Sequence, residues 1–156
     1  MREFEIHTAS PENLRDLSLL WLEFIQDDIG SDLNIVPNKE NAERWIKFVR
    51  SLMHKNRGAI KYATLSGEIV GYVLYRWEEN VLILYKRKGT ILDLYVKRSY
   101  RGKGIGTKLL EEALNDLKRR GLDFVQLNVI ASNEMAINLY KKFGFEEYFK
   151  VMRRDF

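Results

Sequence analysis

Sixteen residues, Tyr95 to Leu110, read YVKRSYRGKGIGTKLL and combine three features that suit phosphate binding. A strand-like run, Thr90–Val96 (TILDLYV), empties into a loop with alternating glycines at Gly102, Gly104 and Gly106. An amphipathic helix follows at once. Glycines let backbone N–H groups approach an anion closely, and a helix start adds its partial positive charge. Lys97, Arg98, Arg101, Lys103 and Lys108 sit in this stretch without one acidic residue. The chemistry expected here is capture of a phosphate or pyrophosphate.

Spacing narrows which phosphate. The P-loop requires GxxxxGK[ST], and Gly102 is followed by KGIGT. The dinucleotide fingerprint requires GxGxxG after a first strand, with an acidic residue at a strand end about 20 positions on. Here the spacing is GxGxG, two thirds along the chain, and Asp123 begins a strand. Both fail. What remains is Arg101-Gly-Lys-Gly-Ile-Gly106, followed by Asn133, Ala136, Tyr140, Gly144 and Phe145 in the pattern N-x-x-A-x-x-x-Y-x-x-x-G-F. Asn133, Ala136/Ile137 and Tyr140 fall on one face of one helix. Taken without that context, Tyr140 reads as a core residue of a short amphipathic helix.

Composition removes other chemistries. The chain has 156 residues, 46% apolar and 31% charged, which suits one soluble globular domain over residues 1–156. It has no cysteine, so a cysteine nucleophile, disulfides and thiolate metal sites are excluded. That usage fits a reducing compartment, and a cytoplasmic location is the expectation. His7 and His54 lie far apart, so no metal site is expected. No apolar run is long enough to span a membrane, and MREFEIHTAS lacks a secretory apolar stretch. Residues 1–40 carry nine acidic and three basic residues, a balance of −6, leaving +10 on the rest of a chain of net charge +4. The basic residues cluster in the glycine loop and on helix faces, with no nucleic-acid motif, so no nucleic acid is expected as partner.

The elements that must position these residues follow from periodicity. Glu3–Thr8 reads as a strand. Ser10 and Pro11 start a helix carrying Leu14, Leu17, Leu20/Trp21 and Phe24 to about Asp28. Asn38 caps a second helix to about Asn56. The aromatic stripe Trp21, Phe24, Trp45 and Phe48 reads as core. Ala59–Leu65 and Glu68–Trp77 form a hairpin at Ser66-Gly67. Val81–Lys88 is a further strand or a continuation of that ribbon, with Glu78-Glu79-Asn80 as its turn. The helix after the glycine loop runs to Arg119 or Arg120, stopped by Gly121. Phe124–Ile130 is a strand, a short helix ends near Lys142, and Phe145–Met152 supplies one last strand or two short ones. The expected class is α/β (α+β), a mixed, mostly antiparallel sheet flanked by helices with one late β-α-β crossover.

At this point the sequence resembles the GNAT superfamily of acetyl-CoA-dependent N-acetyltransferases, strongly over residues 90–150 and only in element order before that. The resemblance implies that the strand matching Thr90–Val96 splays from the one matching Phe124–Ile130 and that pantetheine lies between them. Leu94, Tyr95 and Val96 would line it, with the backbone of Leu94 and Val96 pairing to it. The Val96 N–H would stabilise the oxyanion. Arg101, Gly102, Lys103, Gly104, Ile105, Gly106 and Thr107 would hold the pyrophosphate, with Gly104 and Gly106 leaving room for it. Lys97, Arg98 and Lys103 would attract it from the rim. Asn133 would bond pantetheine, and Tyr140 would protonate the leaving thiolate.

The resemblance implies acetyl transfer to a primary amine by direct attack, with a non-catalytic acyl-CoA sensor as the alternative. Polyamine-type members tend to carry an acidic pair ahead of this strand's end. Leu92-Asp93 keeps one member, so Asp93 is a candidate base or a structural carboxylate, on one strand face with Ile91 and Tyr95. Glu23, Asp27, Asp28 and Asp32 are the other candidates. In this superfamily the first helices wall the acceptor site, so their charge suggests a cationic acceptor: a protein lysine or N-terminus, or a di- or polyamine. Members often form homodimers, and Phe145–Met152 is a candidate interface strand.

Overall fold

The computed structural model describes residues 3–29, 34–79 and 87–156. Five strands form one sheet in sequence order: β1 (Glu5–Thr8), β2 (Gly58–Leu65), β3 (Glu68–Glu79), β4 (Arg87–Val96) and β5 (Phe124–Leu127). The first four are antiparallel, and β5 runs parallel to β4. At the hairpin between β2 and β3, Ser66 (φ 53°) and Gly67 (φ 80°) are both left-handed, which suits the twist of a two-residue connection. Of the expected strand Val81–Lys88 and its turn at Glu78-Glu79-Asn80, residues 80–86 lie outside the described residues; Glu78 and Glu79 extend β3 and are not a turn, and Arg87 and Lys88 open β4.

Among the described residues, four α-helices cover the two faces. On one side are α1 (Leu14–Phe24), which continues as a π-helical turn over Ile25–Ile29, and α2 (Lys39–His54). The Asn38 side chain caps α2, accepting from the Asn41 N–H at 2.8 Å. Trp21 and Trp45 stack across the two helices, and Phe24 packs on Tyr95. Phe48, expected in that core, is 42% exposed. On the other side, α3 (Ile105–Arg119) buries Ile105, Leu109, Leu110, Ala113 and Leu117. It ends before left-handed Gly121 and supplies the crossover from β4 to β5. The last helix, α4 (Glu134–Lys142), is capped by Asn133 and packs Leu139 and Tyr140 against the same layer.

Two expectations for the chain's end need correction. Strand β5 stops at Leu127, short of Ile130, because β4 has parted from it and none of the described residues pairs with 128–130. The segment 145–156 contains no strand. Tyr148, Phe149, Val151 and Met152 stand exposed there, with no neighbouring strand among the described residues to share a ladder.

A bulge corrects a third expectation. Leu74 of β3 pairs with Asp93, but Tyr75 pairs with Ile91, so Leu92 is an extra residue. Alternation is interrupted, and Ile91 packs towards α3 while Leu92 and Tyr95 pack towards α1 and α2. Asp93 faces that second side too, where its carboxylate accepts from Trp45 Nε1 (3.2 Å) and Tyr72 Oη (3.0 Å). It shares a face with Tyr95 and not with Ile91.

Burial pushes the Asp93 carboxyl up to about 6 from an ordinary 3.8, against the two donors that pull it down. The folded chain therefore binds a proton between those values that the unfolded chain releases, and stability falls as pH rises through that window. Asp93→Asn keeps an acceptor oxygen for both donors and removes the titration. Between pH 4 and pH 7 the wild type should lose about 2 kcal/mol relative to this variant in denaturant unfolding. Equal pH slopes would contradict the assignment.

Candidate active site

The site begins where β4 and β5 part. Their ladder runs from Lys88↔Phe124 to Ile91↔Leu127 and stops, while β4 continues to Val96. On its other edge β4 stays paired with β3 as far as Gly71↔Val96. The Lys97 N–H donates to Val70 C=O at 2.8 Å, which makes Gly71↔Val96 a non-hydrogen-bonded pair. Backbone groups alternate in direction, so the N–H and C=O of Val96 and Leu94 point away from β3 into the opening. There the Val96 carbonyl accepts from Arg101 Nε at 2.8 Å.

Beyond Val96 the chain makes a 3-10 turn (Arg98–Tyr100) and reaches the glycine loop. Gly102 and Gly104 have φ of 77° and 81°. Gly104 is the residue before α3, and no side chain caps that helix start. The first intrahelical bond there is Lys108 N–H to Gly104 C=O, so the N–H groups of Ile105, Gly106 and Thr107 precede the ladder. No acidic residue lies in this turn. A Cβ built on Gly106 would meet only Val96 Cγ2, at an ordinary 3.6 Å. The protein itself therefore leaves open the space that glycine keeps there. A diffuse anion of pyrophosphate size suits this uncapped, basic, unobstructed turn.

Of the five basic residues, Lys97 and Lys108 pair with carboxylates. Lys97 Nζ lies 2.9 Å from Glu68 Oε1 and 3.7 Å from Glu23 Oε1, on the α1 side of the sheet. Lys108 reaches Glu112 and Glu111 one turn on, at 3.4 and 3.9 Å. Arg101 also lies over the Tyr95 ring, and Lys103 over Tyr100. Lys97 thus leaves the phosphate rim assigned to it by the sequence, because two carboxylates on the other face bind its ammonium.

Tyr140, like Leu94 and Val96, packs against the α3-side core, and burial raises its hydroxyl above the ordinary phenol range. Asn133 uses Oδ1 to cap α4 through the Ala136 N–H at 3.2 Å. That structural use leaves its amide hydrogens for other partners.

Next to Val96, on the opposite face from Tyr140, lies a cavity of about 520 Å³. Its walls include Glu23, Asp27, Glu68, Tyr95 and Lys97. Asp27 comes from the π-helical turn after α1, a widened turn that re-aims side chains. Hydrogen bonds from Lys97 and Tyr100 hold the Glu68 carboxyl below its usual range, and Glu68 in turn raises Lys97. The Tyr95 hydroxyl lies 3.5 Å from Glu23. Asp93 does not line this cavity. The Asp28 side chain and Asp32 lie outside the described residues. Glu68 carries no local signal in the sequence. Only the fold brings it to Lys97 and Tyr100, just past the end of β4.

Among the described residues no helix is long and apolar enough to cross a membrane, and no group of three or more acidic or histidine side chains is placed to hold a metal ion.

With this geometry the comparisons with known proteins agree. The model of the Acetyltransferase (GNAT) family matches residues 19–145. An N-alpha-acetyltransferase of Sulfurisphaera tokodaii is 40% identical over 97 residues, 58% of each chain. An uncharacterized N-acetyltransferase of Methanocaldococcus jannaschii is 30% identical over 94% of this chain and 62% of its own. The chain thus spans about three fifths of the length of these relatives. A transcriptional regulator from Bacillus halodurans C-125 superposes with a TM-score of 0.78 at 20% identity, covering 99% of this chain and 100% of the other. At that identity the likeness shows the fold alone.

The two glycines should separate by experiment. Gly104→Ala forces a side chain into a left-handed conformation and should cost about 1 kcal/mol in denaturant unfolding. Gly106→Ala should leave stability unchanged or raise it by up to about 1 kcal/mol, as alanine favours helix. A larger loss at Gly106 than at Gly104 would show that the fold, and not a ligand, requires that glycine.

Proposed function

The chain belongs to the acetyltransferase (GNAT) family, and on that premise we propose that it moves an acetyl group from acetyl-CoA to a primary amine by direct attack. The observation that carries this reading is the edge of β4 beyond Ile91. Its Leu94 and Val96 backbone groups face an opening that ends at an uncapped helix start. The residues fit the donor. Pyrophosphate lies on the N–H groups of 102–107, and pantetheine pairs with the β4 edge in place of a strand. The thioester oxygen meets the Val96 N–H, whose donation stabilises the charge that develops there. The amine nitrogen bonds to the acetyl carbon, the carbon–sulfur bond breaks, and Tyr140 gives its proton to the departing sulfur. A phenol with its pKa raised by burial stays protonated for that task.

The acceptor approaches through the cavity of Glu23, Asp27 and Glu68. Three carboxylates against Lys97 and Arg98 favour an ammonium-bearing acceptor. The name N-alpha-acetyltransferase on a 40% identical relative favours a peptide α-amine. Lys97 already occupies the Glu23–Glu68 pair, which favours an acceptor with one ammonium over a polyamine. The amine's proton leaves through Glu23, Asp27 or water between them. Asp93, tied to Trp45 and Tyr72 behind this wall, holds the strand and is not the base. The exposed aromatic and aliphatic side chains of the tail favour pairing with a second copy of the chain.

A panel of peptides and small amines assayed for coenzyme A release tests the reading. Tyr140→Phe should lower kcat about a hundredfold, with the KM for acetyl-CoA little changed. An unchanged kcat would remove Tyr140 from the chemistry. Binding of acetyl-CoA with no turnover of any amine would make the chain an acyl-CoA sensor. Neutralising Glu23 and Asp27 together (Glu23→Gln, Asp27→Asn) should raise the KM for a cationic acceptor about tenfold and leave that for acetyl-CoA unchanged. A KM that does not move would place the acceptor elsewhere.

A further inference from the structure

A second cavity, of about 380 Å³, lies beside the start of β4, at the far end of that strand from Val96. Its walls are the last turns of α2 and the adjoining ends of β2 and β3. Three cationic side chains line it: Lys55 just past α2, Arg57 just before β2, and Arg76 on β3. Arg76 lies two residues after Leu74 in regular alternation and so shares its face, towards α1 and α2. Its guanidinium is therefore set between the sheet and α2.

The charges here are unbalanced. Among the described residues none of the three cations makes a hydrogen bond or an ion pair through its side chain. Arg76 Nε is buried with no acceptor. A buried donor without a partner destabilises the fold, and such groups call for an explanation. Among the described residues the one carboxylate in the wall, Glu78, is already 3.1 Å from Lys88 Nζ. Lys55 and Arg57 are exposed and screened by solvent, while Arg76 Nε is buried. An anion in the hollow would accept from that buried N–H and lie within reach of all three cations. Two guanidinium groups offer planar, forked donors that match oxyanion geometry better than ammonium groups do. The volume falls at the small end of the range of about 300–1,000 Å³ usual for small-molecule pockets.

We propose that this cavity is a second ligand site, which takes a small multivalent oxyanion on Arg76 and Arg57 with Lys55 at its edge. The ligand carries phosphate or carboxylate groups. The site is separate from the glycine loop and does not depend on the acetyl transfer reading.

Calorimetric titration of the full chain with inorganic pyrophosphate, and separately with citrate, tests it. Saturating coenzyme A is present so that the glycine loop is filled. One equivalent of at least one anion should bind, with affinity falling as salt is raised. Arg76→Met and Arg57→Gln should each weaken that binding at least tenfold while coenzyme A still binds. Which of the two anions binds identifies the ligand's chemistry. Absence of binding by both anions, or equal affinity in wild type and both variants, would overturn the proposal. Should coenzyme A itself fail to bind, the same comparison of variants without it still decides the matter, so failure of this site and failure of the transfer site stay distinguishable.

Discussion

The structure turns on a backbone constraint in β4. Every residue of a strand carries a donor and an acceptor that need partners. Strand β3 serves one edge of β4 along its length, but β5 serves the other only to Ile91. From there to Val96 the outward-facing groups need something that is not a strand. An extended amide chain meets that need, and pantetheine is one. The glycine loop lies at the end of the same edge. On the proposed reading, the parting of the two strands would set where the donor binds and how it is oriented.

The bulge at Leu92 decides what the two faces of that strand do. By placing Leu92 and Asp93 on one side, it sets a carboxylate under Trp45 and Tyr72 and keeps Tyr95 against Phe24. It leaves Leu94 and Val96 on the other face with Tyr140. The cavity of Glu23, Asp27 and Glu68 and the candidate acid therefore lie on opposite faces of β4. On the proposed reading, the amine would add to the carbonyl from one side and the thiolate would leave on the side of Tyr140.

Parts of this were legible in the sequence, where local chemistry decides structure. The glycine spacing, the strand before it and the stop at Gly121 are dictated by backbone conformation, and they hold. So does the hairpin at Ser66-Gly67. The bulge was not legible, because no turn or glycine signal in Ile-Leu-Asp-Leu marks an extra residue and only the register with β3 shows it. Nor was the direction of Lys97. Its position in a basic loop suggested phosphate, while Glu68, 29 residues earlier, decided the matter through sheet pairing. The lengths of β5 and of the tail depend on which neighbour is present to pair, which no local propensity reports.

Amide hydrogen exchange of the full chain with and without acetyl-CoA tests the central claim most directly. The account predicts new protection at Leu94 and Val96 and across the loop from Gly102 to Thr107. Amides of β4 already bonded to β3, such as Tyr95, should change little. Protection confined to the loop, with Leu94 and Val96 exchanging as before, would contradict the claim that the open edge of β4 holds the donor.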